Sequence, residues 1–167
     1  MAYHGTKAEH VRGILDVGEI VPAGGRAMGK DIHEGSKHFN DDWAPEGFDT
    51  KQVFLSPSIR YSGVDAYAKP SKYDQNNDVT REQTIHWLLF LFRFCKRENG
   101  SEAASYTAKA AFKVFIKPGC YKVGEQTIGA TSKIDPEFSN QELEWSTKER
   151  GVVILNSIVV KLKPNSN

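Results

Sequence analysis

Residues 107–117 (TAKAAFKVFIK) set Phe112, Val114 and Ile116 in alternation, and no other stretch limits the fold so tightly. A period of two predicts a strand with one face turned to a core. Pro118-Gly119 follows at once. Proline presets φ for the first central position of a type II turn, and glycine takes the positive φ at the second. Tyr121-Lys122-Val123 then reads as a return strand. Residues 141–147 (QELEWST) alternate again, Lys148 to Gly151 reads as a turn, and residues 152–163 supply one or two closing strands. The beginning of the chain has another period. Val11, Ile14 and Leu15 fall at helical spacing, Thr6-Lys7-Ala8-Glu9 has the form of a capping box, and Gly18 suits a helix end. These features predict a helix over 7–17. A helix early and strands late, joined by hairpin-like turns, is an α+β pattern with a largely antiparallel sheet. It is not the strand-helix alternation of a doubly wound nucleotide fold, and G-x-G-x-x-G is missing.

The remaining segments are less regular. Residues 52–56 (QVFLS) read as a strand broken by Pro57, and 59–68 (IRYSGVDAYA) as a short helix with Tyr61 and Tyr67 near its ends. Residues 22–51 form a long loop region, and 69–78 a polar loop. Thr80-x-x-Gln83 predicts a helix over about 81–98, although Trp87–Phe92 (WLLFLF) is equally a buried strand. That run is far too short to span a bilayer.

Composition narrows function. The 167 residues fit one domain, and 22 basic against 21 acidic residues give a net charge of +1. That balance argues against a DNA-coating protein but not against a small anionic ligand. Cys95 and Cys120 stand far apart, which disfavours a disulfide scaffold and a structural zinc site and suggests a reducing compartment. Residues 1–20 are amphipathic and charged, unlike a secretory leader. The expectation is an intracellular domain, cytoplasmic or nuclear, with no membrane partner. Its tight trimming at both ends suggests a single domain, 1–167, excised from a larger protein.

Three segments hold residues suited to chemistry. His4-Gly5-Thr6 leads into the first helix: the imidazole offers two nitrogens for hydroxyl contacts, and Gly5 lets the backbone approach a planar amide closely. Taken alone, the triplet fits a capping loop with a surface histidine. Glu142 and Glu144 sit two apart in a predicted strand, so both carboxylates would share one face, roughly 6–7 Å apart, where they could stabilise a cation. Taken alone, they fit an exposed strand. Val53–Ser58, followed by Tyr61 and Tyr67, could build a stacking floor for a flat ring, or contribute plain core aromatics. His33 and His38 lack a third ligand at metal spacing, so no metal is expected.

Together the three segments resemble the ADP-ribosyltransferase superfamily, of the diphtheria-toxin and poly(ADP-ribose)-polymerase type. Tyr3-His4-Gly5-Thr6 is similar to its first motif, Val53–Ser58 with Tyr67-Ala68 to its second, and Glu144-Trp145 to its third; order and spacing agree across nearly the whole chain. YHGT, VFLSPSI and LEW-x-x-K-x-x-G look most like the C-terminal domains of Neuralized-like proteins and related fungal and bacterial domains. The resemblance implies a split antiparallel β core with flanking helices, and NAD as substrate.

It also implies roles. His4 would contact the adenine-side ribose, Gly5 would hold the nicotinamide carboxamide through its backbone, and Thr6 would lie at a helix N-terminus that favours anions. Tyr67 would stack on nicotinamide, with Tyr61 as the alternative. Ser56 or Ser58 would reach the carboxamide or a phosphate. Glu144 would be the catalytic glutamate, and Glu142 matches the E-x-E spacing of arginine-directed transferases. Phe54 stands where the family's second motif usually has Tyr and would line the pocket without a phenol. The implied reaction is nicotinamide release from NAD, followed by transfer to water (an NAD glycohydrolase) or to a protein or nucleic-acid acceptor (a mono-ADP-ribosyltransferase). The alternative is a catalytically inactive NAD- or ADP-ribose-binding module, or a protein-interaction domain.

Overall fold

In the computed structural model, residues 1–32, 49–73 and 105–165 are described, and everything below concerns them. The helix expected over 81–98, the WLLFLF segment and most of the 22–51 loop lie outside them. Described elements run β1 (Ala2–Thr6), α1 (Ala8–Val17), β2 (Arg26–Ala27), β3 (Lys30–Asp31), β4 (Val53–Leu55), α2 (Ile59–Ser62), β5 (Ser71–Tyr73), β6 (Tyr106–Ile116), β7 (Lys122–Gly124), a 3-10 turn (Asn140–Glu142), β8 (Glu144–Thr147) and β9 (Val153–Pro164). This is an α+β chain with few helices and antiparallel sheets.

The alternating run of β6 is the spine. β9 pairs with it along its whole length, from Tyr106↔Pro164 to Ile116↔Val153. Its other edge is shared: β1 takes Ala110 to Val114, and β5 takes Tyr106 to Ala108. A second sheet has the order β4-β8-β7. The two sheets meet at one bridge, where the Tyr3 and Ser56 amides donate to each other's carbonyls at 2.8 and 2.9 Å. Phe112 and Val114, the inward residues of β6, are almost wholly buried with Ala2, Leu55, Val53 and Val153. The core thus lies between the sheets and α1, and it fixes how β1, β4 and β8 stand to one another.

Local expectations divide along physical lines. Gly18 does end α1, at φ 77° with its amide on the Ile14 carbonyl. Gly119 takes φ 81°, and the Cys120 amide closes the turn on Lys117 at 3.2 Å. The capping box at Thr6 is absent. Thr6 pairs with Ala110 as the last residue of β1, its hydroxyl lies 3.4 Å from the Lys7 carbonyl, and Lys7 is the cap residue of α1, with no side-chain capping bond. Strand pairing took the threonine that the helix would have used. Residues 59–68 give only the one-turn α2, followed by turns. Part of the polar loop is strand β5.

The strand expected over 141–147 begins only at Glu144. Ser139 and Glu142 form a reciprocal capping box on the 3-10 turn, with the Ser139 amide donating to Glu142 Oε1 at 2.9 Å. Glu142 is therefore an exposed cap, not a strand residue beside Glu144. Side-chain bonds to the backbone two and three residues away compete with a ladder, and here they win.

Candidate functional site

A cavity of about 620 Å³ opens where the two sheets meet. His4, Gly5 and Thr6 of β1 line it together with Phe54 of β4, Tyr61 and Tyr67, and Glu144 at the start of β8. The three sequence segments with chemical potential, from three different strands or turns, converge on one space.

Glu144 is a buried carboxylate, 5% exposed. Three hydroxyls converge on its Oε2: Thr127 Oγ1 donates at 2.5 Å, Tyr61 at 2.9 Å and Tyr67 at 3.0 Å. Among the described residues no hydrogen bond reaches Oε1. Burial raises the carboxyl pKa above its ordinary value, and the three hydroxyls pull it back. One oxygen is anchored while the other is left to the cavity. A carboxylate held this way cannot rotate without losing charge-assisted bonds.

The tyrosines are proton donors over the whole physiological range. Burial, and then the Glu144 charge, push the Tyr61 phenol up to about 12, and the same two causes push Tyr67 higher still. Their rings pack edge to face, 5.1 Å apart at 60°. Tyr61 is 2% exposed and Tyr67 is half-buried, and both line the cavity. Thr127 also donates its amide to the Tyr61 oxygen at 2.8 Å.

His4 Nδ1 lies 2.9 Å from the Phe54 carbonyl oxygen. A carbonyl can only accept, so Nδ1 carries the proton, and in the neutral ring Nε2 is the acceptor. This bond also ties β1 to β4 beside the cavity. Gly5 is required by space. A Cβ there would collide with the Ser62 carbonyl and sit 2.8 Å from Tyr67 Cβ. The absent side chain lets the turn after α2 bring Tyr67 against β1.

Other expected residues lie elsewhere. Ser56 and Ser58 are fully buried and do not line the cavity. Ser56 Oγ accepts from the Ser58 amide, and Ser58 Oγ caps α2 through the Arg60 and Tyr61 amides while donating to Asp135 Oδ2 at 2.5 Å. That bond holds the Asp135 carboxyl below its ordinary range. Both serines position the tyrosines rather than a ligand. Thr6 lines the cavity but precedes the helix cap by one residue. Glu142 is not at the cavity, for the reason given above. Trp145 stacks on Tyr121, centroids 4.6 Å apart, and its indole donates to the Glu142 carbonyl, so it anchors the strand that carries Glu144.

Two residues that hold the site together escaped sequence reasoning. Thr127 and Asp135 sit in the irregular stretch 124–140, which has no period and no motif. A buried carboxylate demands donors, but nothing in the sequence says which hydroxyl supplies them. Among the described residues, no group of three or more His, Cys, Asp or Glu side chains could hold a metal ion. Nor is any helix there long and apolar enough to cross a membrane. No family model matches the chain, and no solved structure matches it.

Proposed function

We propose that the protein is an NAD-consuming enzyme of the ADP-ribosyltransferase type, which cleaves the bond between nicotinamide and ribose. The observation that carries this reading is Glu144: a buried carboxylate with Oε2 anchored by three hydroxyls, in a cavity that His4, Gly5 and Tyr67 also line. The joining of two antiparallel sheets at Tyr3 and Ser56 supports the split β core expected of that superfamily.

Loss of nicotinamide is oxocarbenium-like, so positive charge develops on the ribose carbon as the C–N bond breaks and its electron pair leaves with nicotinamide. Glu144, ionised, accepts the adjacent ribose hydroxyl through Oε1 and stabilises that charge. Its fixed position means no reorganisation is needed as charge develops. Tyr67 offers a ring face to nicotinamide, the Gly5 backbone faces the carboxamide, and His4 Nε2 accepts from a hydroxyl of the other ribose. The acceptor then bonds to the ribose carbon and loses a proton. Water makes the enzyme a glycohydrolase; a protein or nucleic-acid group makes it a mono-ADP-ribosyltransferase.

Phe54 favours a second reading, an NAD- or ADP-ribose-binding module without turnover, because the wall of the cavity there has no phenol. Incubation with NAD separates the readings. Free nicotinamide, in buffer or only with an acceptor extract, supports the enzyme. Calorimetric binding without release supports the module, and neither binding nor release overturns both.

A further inference from the structure

One wall of the Glu144 cavity is tied to the rest of the protein through a single turn. Residues 19–32 run on from α1 through β2 and β3, and Glu19, Val21, Ala27 and Ile32 among them line the cavity. β2 and β3 pair with each other and join neither larger sheet. Among the described residues, the backbone bonds of this segment stay inside it: the Gly24 amide donates to the Ile32 carbonyl, Ile32 to Gly25, and Gly25 to Pro22. Its polar contacts with the rest of the described chain all come from Arg150 and Gly151, in the turn between β8 and β9. Arg150 Nε donates to Glu19 Oε1 at 2.9 Å, and Nη2 donates to the same oxygen. Arg150 Nη1 donates to the Arg26 carbonyl of β2 at 3.0 Å. Gly151, at φ 73°, donates its amide to Glu19 Oε2 at 3.0 Å. Both carboxylate oxygens are held, and one guanidinium joins Glu19 to β2.

The same turn is fixed to Glu144. β8 begins at Glu144 and ends at Thr147, about 10 Å on at the usual strand rise, and Arg150 follows three residues later. β4 pairs with one edge of β8 and β7 with the other, so the strand is held on both sides. Arg150 is exposed and Glu19 half-buried, and Ile20 joins the core without help from either. An exposed ion pair adds little to stability. A fork of charge-assisted bonds adds geometric specificity. What this one fixes is where the 19–32 wall stands relative to Glu144.

We propose that Arg150 is a positioning residue for the dinucleotide: through Glu19 and Arg26 it sets the spacing between the 19–32 wall and Glu144. The role rests on the NAD reading above and deepens it. The nicotinamide end takes Glu144, Tyr67 and Gly5, and His4 takes the other ribose, so the remaining lining, α1 with 19–32, falls to the adenosine end. A wall that shifts loosens the hold on that end, while Glu144 keeps its own three hydroxyl bonds. Arg150 therefore acts on binding and leaves the chemical step alone. A lysine would supply the charge without the planar fork that reaches Glu19 and Arg26 together.

The test combines NAD calorimetry and nicotinamide release with amide exchange of the ligand-free protein. Arg150→Ala should raise Kd and KM for NAD about tenfold with kcat within about twofold, while Tm falls by less than about 4 °C. Glu19→Ala should do the same, and the double variant should be no worse than either, because each breaks one device. Arg150→Lys should recover only part of the affinity. Amides of 19–32 should exchange faster in Arg150→Ala, and those of β8 should not. Arg12→Ala, which breaks an exposed ion pair with Asp16 on α1, should leave NAD affinity unchanged; an equal loss there overturns the proposal. Glu19→Ala that binds NAD as tightly as wild type, or tighter, overturns it too, by assigning the Arg150→Ala loss to repulsion from a freed carboxylate. Additive losses in the double variant do the same. Wild type that binds no NAD overturns the functional reading and this proposal with it, whereas wild-type binding that Arg150→Ala leaves unaltered overturns this proposal alone.

Discussion

Replacing Thr127 with valine removes one hydroxyl from the Glu144 carboxylate and keeps the side-chain volume. The bond lost is the shortest of the three, 2.5 Å from Oγ1 to Oε2. A hydrogen bond to a charged group contributes about 1.5–3 kcal/mol. The bond acts on the ionised form, so its loss raises a pKa that burial has already raised. At about 1.4 kcal/mol per unit, the shift is about one to two units upward. The proposed reaction needs Glu144 ionised, so the acid limb of the pH–rate profile for nicotinamide release should move up by that amount, while the rate at the alkaline plateau falls less. Stability at neutral pH drops by about 1.5–3 kcal/mol, which for a chain of this size lowers Tm by several degrees, at roughly 2–4 °C per kcal/mol. Thr127→Ser, which keeps the hydroxyl, restores most of the limb position. An acid limb that stays within about 0.3 unit in Thr127→Val, with Tm also unchanged, would refute the hydroxyl clamp.

Other expectations follow from the same geometry. Gly5→Ala drives a methyl group into the Ser62 carbonyl and Tyr67 Cβ; overpacking costs about 1–3 kcal/mol, so a melting curve should fall clearly and NAD binding should go with it, and an unchanged Tm contradicts the close approach. Phe54 lines the cavity, so Phe54→Tyr has room for its oxygen; Tm should hold, and NAD affinity should rise several-fold at most for a net hydrogen bond of about 0.5–1.5 kcal/mol, whereas a marked drop in Tm without tighter binding removes Phe54 from the site. In alkali, Tyr61 titrates near 10 when unfolded and about 12 when folded, so folded protein holds its proton longer and stability falls as pH rises through that window. Urea unfolding should show up to about 2.7 kcal/mol of loss from this group, and Tyr61→Phe should lessen it; a pH dependence the same in Tyr61→Phe as in the wild type contradicts the assignment.

The sequence was most legible where one strong local rule acted alone. Phe112, Val114 and Ile116 announced β6 because no polar side chain nearby offered the backbone another partner. Gly18 and Gly119 announced their turns because a positive φ leaves few residues to choose from. Legibility failed where two local rules competed. Thr6 can cap a helix or pair in a strand, and pairing with Ala110 won; Glu142 can alternate or cap, and Ser139 three residues before it decided for the cap. Of the site, His4, Gly5, Tyr61, Tyr67 and Glu144 could be named from their segments, but how they meet could not. Glu144 depends on Thr127 and on two phenols, and those contacts close only when β8 packs beside β4 and the irregular 124–140 stretch folds over α2. No period marks such a residue, because its role is set by distance in space and not along the chain.

The most direct test of the central claim is release of free nicotinamide from NAD by wild type and Glu144→Gln, with NAD affinity measured in parallel by calorimetry. The amide keeps the shape and lacks the charge that stabilises the transition state. Release should be abolished in Glu144→Gln while NAD affinity stays within about tenfold. Turnover near the wild-type rate in Glu144→Gln would contradict the assignment of Glu144 as the catalytic carboxylate.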